Sequence, residues 1–262
     1  NRIHTIFSQS TAATGRLSSN DPNLQNIPIR TELGRGLRKV FVAPPGHLLV
    51  SVDYSQVELR ILAHFCKEEV LLKAFTEKAD WHTRAASAVC DMPPDQVTRD
   101  QRTQAKAVNF GVLYGMGPVR LARDLKIQRK EASNFVKQYF ERQPRVKEFV
   151  DQTLEEARAS GMVRTILGRR RLVPDINSKN RATRGAAERI ATNTPIQGSA
   201  ADLMKLAMVR VDAVLAEEFP RAKLLLQVHD ELLVEAPEGE AESVSALVRR
   251  EMENVFPLDV PL

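Results

Sequence analysis

The stretch LLLQVHDELLVEA (224–236) consists of two apolar runs joined by polar residues that include Asp230 and Glu231. Two such runs around a short polar segment are typical of a β-hairpin, so the pattern predicts paired strands with acids at the bend. A second apolar run, HLLVSVDYS (47–55), predicts a buried strand that ends near Asp53. Aspartate is disfavoured in strands and unfavourable to bury without a partner, so these acids need a specific explanation.

The rest of the chain surrounds these strands with loops and helices. Residues 1–30 are rich in Ser, Thr, Asn, Gln and Pro, and predict short strands and loops. The pattern from about residue 67 to residue 190 is mainly helical. After a break at NTPIQGS (193–199), the pattern of residues 201–219 predicts an amphipathic helix. Its predicted inward residues are Leu203, Leu206, Ala207, Val211 and Val214. This order of elements predicts an α+β protein in which a discontinuous sheet domain holds a helical insertion.

Composition excludes several classes of protein. The chain has 262 residues, of which 43% are hydrophobic, and it contains no run near the ~20 apolar residues that cross a bilayer. Its two cysteines have no metal-binding spacing, so neither a disulfide framework nor a zinc site is expected. Lys and Arg number 38 against 33 Asp and Glu, which gives a net charge of +5. This small excess is weak evidence for a polyanionic partner, and a solvated helix face explains it equally well.

Asp53 and Asp230 have two interpretations. If folding brings the two carboxylates together, they repel each other unless cations lie between them. A pair of Mg²⁺ ions about 3.5–4 Å apart would relieve that repulsion and serve nucleotidyl transfer. The structural alternative is that Asp53 caps a helix and Asp230 forms a turn. The neighbouring Ser55 and Glu58 fit a capping box, S-x-x-E, and the residues alone favour that role for Glu58.

One helical segment mixes cations and aromatic rings on a single face. Arg102, Lys106, Phe110 and Tyr114 recur every four residues and so lie along one side of a helix. The two cations could hold a triphosphate, and an aromatic ring further along could stack on a base. A helix face packed into the core would not begin with Arg and Lys, and a helix face exposed to solvent would not end in Phe and Tyr. The mixture therefore predicts a ligand-binding face.

Three further groups are candidates for contacts with nucleic acid. The polar loop 14–28 offers base- and backbone-binding side chains, although the alternative, in which they hold the loop together, is slightly favoured. The arginines of GRRRLVP (168–174) favour phosphate binding, since adjacent cations repel each other without a counter-charge. His229 fits either a phosphate contact or a turn, and the sequence alone does not choose. The candidates in the loop are Arg16, Asn23, Gln25 and Asn26.

Five segments together resemble DNA polymerase family A, the bacterial DNA polymerase I group. The three catalytic motifs of that family match DYSQVELR (53–60), RTQAKAVNFGVLYG (102–115) and QVHDE (227–231) in order and spacing. Two further stretches, TGRLSSNDPNLQNIP (14–28) and NTPIQGSAADLMK (193–205), also match. The resemblance covers nearly the whole chain, so it is far more specific than any one motif.

The resemblance implies a polymerase palm, which is an antiparallel sheet with packed helices, and an inserted, mainly helical fingers domain. Residues 1–62 and 194–262 would form the palm, incomplete at its C-terminus, and residues 63–193 the fingers. The thumb and exonuclease domains are expected to be absent. The implied activity is template-directed DNA synthesis in replication and repair. Deoxynucleotides would be added to a primer 3′-hydroxyl, with release of pyrophosphate, by two-metal-ion catalysis.

The resemblance also implies roles for individual residues. Asp53, Asp230 and the backbone carbonyl of Tyr54 would bind two Mg²⁺ ions, for which Mn²⁺ can substitute. Glu58 would exclude a 2′-hydroxyl, a role compatible with capping. The implied catalytic residues are Asp53, Asp230, Glu231 and Lys106. The implied dNTP-binding residues are Arg102, Lys106, Phe110, Tyr114, Glu58, His82 and Gln56. The implied DNA-binding residues are Arg16, Asn23, Gln25, Asn26, Arg169, Arg170, Arg189, Asn193, Gln197 and His229.

The implied partners are primer–template DNA and deoxynucleoside triphosphates. We expect a monomer without membrane contact in the bacterial cytoplasm, associated with the nucleoid through DNA. A phage-type single-subunit RNA polymerase would share the chemistry, but Asn109–Phe110–Gly111 and Glu58 favour deoxynucleotides. A non-catalytic DNA-binding remnant would need neither Asp53 nor Asp230. A metal-dependent nuclease would not require the cationic and aromatic face at 102–114.

Overall fold

A computed structural model describes residues 2–29, 31–77, 80–90, 92–113 and 115–262, without the side chains of residues 82, 88–90, 108–110 and 112–113. The chain divides into two compact units. The first unit comprises Asn1–Val57, Gly198–Pro257 and Leu262, and the second comprises Glu58–Gln197 and Leu258–Pro261. The mixture of helices and antiparallel strands confirms the predicted α+β class.

The helices and strands are numbered along the chain. The strands are β1 (Ile6–Ser8), β2 (Ser18–Asn20), β3 (His47–Asp53), β4 (Met162–Arg164), β5 (Arg170–Leu172), β6 (Lys223–Val228) and β7 (Glu231–Pro237). The helices are α1 (Glu32–Arg38), α2 (Val57–Cys66), α3 (Glu69–Thr76), α4 (Trp81–Cys90), α5 (Arg99–Leu113), α6 (Pro118–Leu125), α7 (Arg129–Arg142), α8 (Pro144–Ser160), α9 (Arg181–Asn193), α10 (Ser199–Glu218) and α11 (Ala241–Glu253).

Three antiparallel strands in the order β3–β7–β6 form the main sheet of the first unit. Strands β6 and β7 make the hairpin predicted from residues 224–236. Strand β3 pairs with β7 in continuous register, from His47 opposite Pro237 to Asp53 opposite Glu231. Because the side-chain period of a strand is two, this register decides which side chains meet at the end of the sheet.

The prediction of a buried strand at residues 47–55 is right about the strand and wrong about its burial. Strand β3 lies at the edge of the described sheet, its residues are half-buried or exposed, and Leu48 is 45% exposed. The buried strand is its neighbour β7, where Leu232, Val234 and Ala236 are inaccessible to solvent. An apolar run predicts a strand but does not reveal how many neighbours the strand will have.

Helices α10 and α11 pack against this sheet. In the predicted inward stripe of α10, Leu203, Ala207 and Val211 are fully buried, whereas Leu206 is 36% exposed. Leu215 is buried as well, so the observed stripe advances by four residues from position 203. With that spacing, position 206 lies outside the buried face, so the prediction that Leu206 points inward is wrong.

The second unit is mainly helical, as predicted for residues 67–190. Helices α2 to α9 belong to it, together with the short hairpin β4–β5. One of its cores joins α8, β4 and α9 and consists of Ala157, Val163, Val173, Ile176, Ala187 and Ala191. None of the helices in the described part of the chain is long and apolar enough to cross a membrane.

The predicted break at residues 193–199 is a π-helical turn. Residues Thr194–Gly198 form this turn directly between α9 and α10, so the helical path continues. Pro195 lacks an N–H and crowds the preceding turn, and the wider π turn accommodates it without ending the helix. The sequence pattern therefore marks a true irregularity, which is a local widening of the helix and not a break in it.

Candidate functional site

Three carboxylates come together where β3 and β7 meet at one end of the sheet. Asp53 is directly opposite Glu231 in the antiparallel pairing, so their side chains project from the same face. The backbone N–H of Tyr54 donates to the backbone oxygen of Asp230 at 3.0 Å, which places the next pair of residues side by side. Ser51 Oγ donates to Glu231 Oε1 at 2.5 Å and restrains that carboxylate. The fold therefore brings Asp53 and Asp230 into one place.

A two-residue turn presents Asp230. Strand β6 ends at Val228 and β7 begins at Glu231, so His229 and Asp230 form the turn between them. His229 has a φ of +55°, in the left-handed region. Tight hairpins need a positive φ because the turn must match the twist of the strands, and histidine tolerates this better than most residues. The turn geometry fixes where Asp230 leaves the hairpin.

Tyr54 holds the backbone beside Asp53. Its ring is buried, and its hydroxyl donates to the backbone oxygen of Met252 at 2.6 Å, near the end of α11. Burial raises the pKa of the Tyr54 hydroxyl well above its ordinary value, so the group remains a hydrogen-bond donor. Tyr54 is therefore held at both its N–H and its hydroxyl, which restrains the residue that carries the candidate carbonyl ligand.

Negative charge accumulates at this end of the sheet. Partial burial of the carboxyl raises the pKa of Asp53, and the charges of Asp230 and Glu231 raise it further, whereas His229 opposes them. Arg16 Nη2 lies 3.6 Å from Asp230 Oδ1 and offsets part of the charge. A divalent cation would relieve the remaining repulsion, and carboxylate and carbonyl oxygens are the ligands that Mg²⁺ prefers. The chemistry of these donors fits a magnesium site.

The fit is to an open metal site and not to a closed protein cage. Across residues 2–29, 31–77, 80–90, 92–113 and 115–262, no group of three or more His, Cys, Asp or Glu side chains is arranged to hold a metal ion. Mg²⁺ usually keeps several waters and is bound through one or two carboxylates together with substrate phosphates. Two aspartates and one backbone carbonyl are a donor set of that kind.

A cavity of about 700 Å³ in the first unit is lined by all three carboxylates. Residues 25–29, Thr31 and Arg38 complete much of its wall. Arg38 Nη2 donates to the backbone oxygen of Ile27 at 3.3 Å, which holds a cation at the cavity. The sequence does not single out Arg38, because a basic residue in the last turn of a helix is equally explained by the helix dipole. The volume is sufficient for a nucleotide-sized ligand.

The predicted triphosphate face lies in the second unit. Arg102 and Lys106 are exposed on α5, one turn apart, as the sequence predicted. Arg102 Nε lies 2.5 Å from Asp80 Oδ2, so this guanidinium has a carboxylate partner. The dNTP-binding candidates outside the described side chains are Phe110 on α5, His82 on α4 and the whole of Tyr114.

The start of α2 separates Gln56 from Glu58. Helix α2 begins at Val57, and Gln56 directly before it is exposed, with a φ of +56°. Glu58 in the first turn is only 6% exposed. A buried acid requires polar partners, which agrees with capping and with ligand selection alike. Both roles of Glu58 remain predictions.

Some candidate DNA-binding residues of the loop 14–28 have internal hydrogen bonds, and others are exposed at the surface. Asn23 Oδ1 accepts from the backbone N–H of Gln25 at 3.0 Å. Gln25 is only 9% exposed, and its amide is hydrogen-bonded to Gln227. Asn26 is exposed and lines the cavity. For Gln25 and Asn23, this placement favours the alternative in which they hold the loop together.

The remaining DNA-binding candidates lie on β4–β5, α9 and the π-helical turn. Arg170 is exposed, whereas Arg169 is half-buried. Arg189 is exposed on α9. Asn193 Oδ1 is buried without a hydrogen-bond partner among the described residues, and Gln197 is half-buried in the π turn. Exposure makes Arg170 and Arg189 available to a phosphate backbone.

Comparison with known proteins gives one consistent result. The model of DNA polymerase family A matches residues 1–262. The chain is 54% identical over 261 residues to DNA polymerase I of Caldicellulosiruptor bescii and 53% identical over 266 residues to the thermostable DNA polymerase I of Thermus thermophilus. All of the chain is covered in both cases, but it spans only 31% of each relative. It is also similar to the POL domain of Pol1 from M. smegmatis, solved in complex with DNA primer-template and dNTP. That match has a TM-score of 0.95 and 49% identity, and covers 100% of this chain and 46% of the other.

Proposed function

We propose, because this chain belongs to DNA polymerase family A, that it forms the nucleotidyl-transfer centre of a DNA-directed DNA polymerase. Deoxynucleotides are added to a primer 3′-hydroxyl as the template directs, and pyrophosphate is released. In this proposal residues 1–62 and 194–262 form the palm and residues 63–193 form the fingers. The protein acts as a monomer on primer–template DNA in replication and repair, in the bacterial cytoplasm and at the nucleoid.

The metal-binding part of the proposal assigns Asp53, Asp230 and the Tyr54 carbonyl to two Mg²⁺ ions, with Mn²⁺ as a substitute. When bound, these ions supply Lewis acidity at the 3′-hydroxyl and offset the charge on the phosphates. Glu231 adds negative potential beside the ligands, and Ser51 keeps its carboxylate in place. Tyr54 and the His229–Asp230 turn orient the donors before substrate arrives, so little reorganisation is needed during the reaction.

The substrate-binding part of the proposal assigns the triphosphate to α5. Arg102 and Lys106 bind the phosphates of the incoming nucleotide, and Arg102 exchanges its ion pair with Asp80 for a phosphate contact. Phe110 and Tyr114 contact the nucleotide and the templating base, and His82 adds a phosphate contact. Gln56 and Glu58 act on the sugar side, where Glu58 excludes a 2′-hydroxyl.

The observation that supports the proposal most directly is the pairing of β3 with β7. It places Asp53 opposite Glu231 and beside Asp230, although these residues are far apart in sequence. The pKa of Asp53, raised first by burial and then by its two acidic neighbours, supports a site that a bound cation would stabilise.

Primer extension by the purified chain tests this proposal. Asp53→Ala and Asp230→Ala should each lower the rate of Mg²⁺-dependent extension of a 5′-labelled primer by about 10³-fold, since transition-state charge loses its stabilisation. Asp212→Ala is the matched control, because Asp212 is an exposed aspartate on α10 of the same unit. Circular dichroism checks that all three variants keep the fold.

Two results would contradict the proposal. Extension at the unaltered rate by either active-site variant would exclude the metal assignment. Absence of extension by the folded, unaltered chain would favour the non-catalytic remnant instead.

A further inference from the structure

Two buried glutamines are hydrogen-bonded to each other in the first unit. Gln25 Nε2 donates to Gln227 Oε1 at 2.9 Å and to the backbone oxygen of Gln227 at 3.1 Å. The residues are 9% and 4% exposed, respectively. A buried amide is stable only when its donors and acceptor are satisfied, so this pair constrains both side chains.

The pair is part of a longer chain of hydrogen bonds with a fixed direction. The backbone N–H of Ser19 donates to Gln25 Oε1 at 3.2 Å, and Gln227 Nε2 donates to the backbone oxygen of His229. A backbone N–H can only donate, and a backbone carbonyl can only accept. These two ends therefore determine the orientation of both amides, from Ser19 through Gln25 and Gln227 to His229.

The chain of hydrogen bonds ends at His229, in the turn that presents Asp230. His229 has a φ of +55°, a conformation that is unfavourable for a residue with a Cβ and persists only where its surroundings hold it. Gln227 holds the carbonyl of His229, and Tyr54 N–H holds the carbonyl of the next residue, Asp230, at 3.0 Å. The turn that presents Asp230 is thus restrained at two of its peptide groups, those that follow His229 and Asp230.

We propose that Gln25 and Gln227 are positioning residues that fix the His229–Asp230 turn and thereby keep the Asp230 carboxylate beside Asp53. The importance of this placement for metal binding rests on the proposed function, but the mechanical role of the two amides does not. The same geometry removes Gln25 from the residues available to DNA, because its amide is buried and fully engaged.

Substitution by methionine tests the mechanical role. Methionine keeps the length and approximate volume of glutamine but has no amide, so Gln227→Met removes the support of His229 without leaving a large cavity. We expect hydrogen exchange at the Tyr54 amide, which reports its bond to Asp230, to become about 10-fold faster. Exchange at Val50 and Val234, which pair in the middle of the same sheet, should change by less than about twofold.

Three further variants separate coupling from general destabilisation. Gln25→Met should also accelerate hydrogen exchange at the Tyr54 amide. Exchange in the double variant should be no faster than in Gln227→Met alone, because both residues act through the same chain of hydrogen bonds. Gln138→Met is the control, since Gln138 is exposed on α7 in the other unit. It should leave exchange at Tyr54 unchanged.

Mn²⁺ binding, measured by electron paramagnetic resonance without DNA or nucleotide, gives a second readout. The affinity should fall by about 10-fold in Gln227→Met, as is usual when a group that orients a metal ligand is lost. Affinity for primer–template DNA, measured without added divalent ions, should not change in Gln25→Met.

The outcomes are distinct. Unchanged exchange at Tyr54, or an equal increase at Tyr54, Val50 and Val234, would overturn the inference, because the amides would then have no specific effect on the turn. Weaker DNA binding by Gln25→Met with unchanged exchange would overturn it in favour of a DNA contact. Absence of primer extension by the unaltered chain would count against the proposed function alone.

Discussion

Asp53 ionises in an environment that disfavours its charge. Burial of part of the carboxyl is the largest cause of its raised pKa, followed by the charges of Asp230 and Glu231. A carboxyl whose pKa is raised by folding binds protons more readily in the folded state than in the unfolded state. Its contribution to stability is therefore present at low pH and is lost as the pH rises through the folded-state pKa. In the absence of metal, this residue works against the fold at neutral pH.

Asp53→Asn should accordingly stabilise the metal-free chain. We expect the free energy of unfolding in urea at pH 7 to rise by about 0.5 kcal/mol, a small value because only part of the carboxyl is buried and water screens the repulsion at the rest. The gain should disappear at a pH below the ordinary pKa of aspartate, where the unaltered residue is protonated in both states. Asp212→Asn serves as the control for removing a negative charge from the same unit. A variant less stable than the unaltered chain at pH 7 would contradict this explanation.

At the scale of helices and strands, local sequence patterns predicted the elements that local interactions determine. The hairpin β6–β7 and the helical character of residues 67–190 follow from periodicity and turn residues, and the structure confirms both. The pairing of β3 with β7 joins residues far apart in sequence, and no local pattern specifies it. That pairing decides both the exposure of β3 and the meeting of Asp53 with Glu231. The residues alone left a shared site for Asp53 and Asp230 as one of two interpretations, and the resemblance to a known family implied it.

Local sequence patterns could not predict which polar side chains are buried, for the same reason. Gln25 lies in a polar loop that offers several amides, and its sequence neighbours do not reveal that it will be paired with Gln227. Arg38 reaches the cavity wall through a bond to Ile27 that depends on how the loop returns to α1. Both cases depend on three-dimensional contacts made by side chains whose local sequence allows several roles.

The link between α5 and α6 depends on Gly115. Its φ is +59°, and a Cβ added there would lie 3.0 Å from Arg189 Cγ and 3.2 Å from Thr192 Oγ1 of α9. Gly115→Ala should lower the free energy of unfolding by about 1–3 kcal/mol, because it combines an unfavourable backbone conformation with a close contact. Urea denaturation measures the change.

Gly117→Ala is the control for the Gly115 prediction. Gly117 has a φ of −71°, and no atom lies within 4 Å of its added Cβ. Its substitution should therefore change the unfolding free energy by no more than about 0.5 kcal/mol. Equal effects of the two substitutions would show that close packing at Gly115 is not the cause.

For the molecule as a whole, net charge says less than its distribution. A net charge of +5 on 262 residues does not by itself require a nucleic acid partner. The hairpin β4–β5 shows why counting cations is insufficient. Arg171 Nη1 donates to Thr194 Oγ1 at 3.0 Å, while the same hydroxyl donates to Ile190 O, so this arginine takes part in the internal hydrogen bonds of the second unit. Burial, followed by the charge of Arg169, lowers the pKa of Arg171.

Arg170 and Arg171 therefore provide a matched test of how the whole chain meets DNA. Arg170 is exposed, so Arg170→Ala should weaken binding to primer–template DNA and reduce the slope of log affinity against log salt by about 1, the effect of one lost phosphate contact. Arg171→Ala should leave that slope unchanged and instead lower the free energy of unfolding by about 1 kcal/mol, because Thr194 loses its donor. Salt titrations of DNA binding and urea denaturation measure the two effects. Equal reductions of the slope would mean that both guanidinium groups reach phosphate, in which case the bond between Arg171 and Thr194 would have to break when DNA binds.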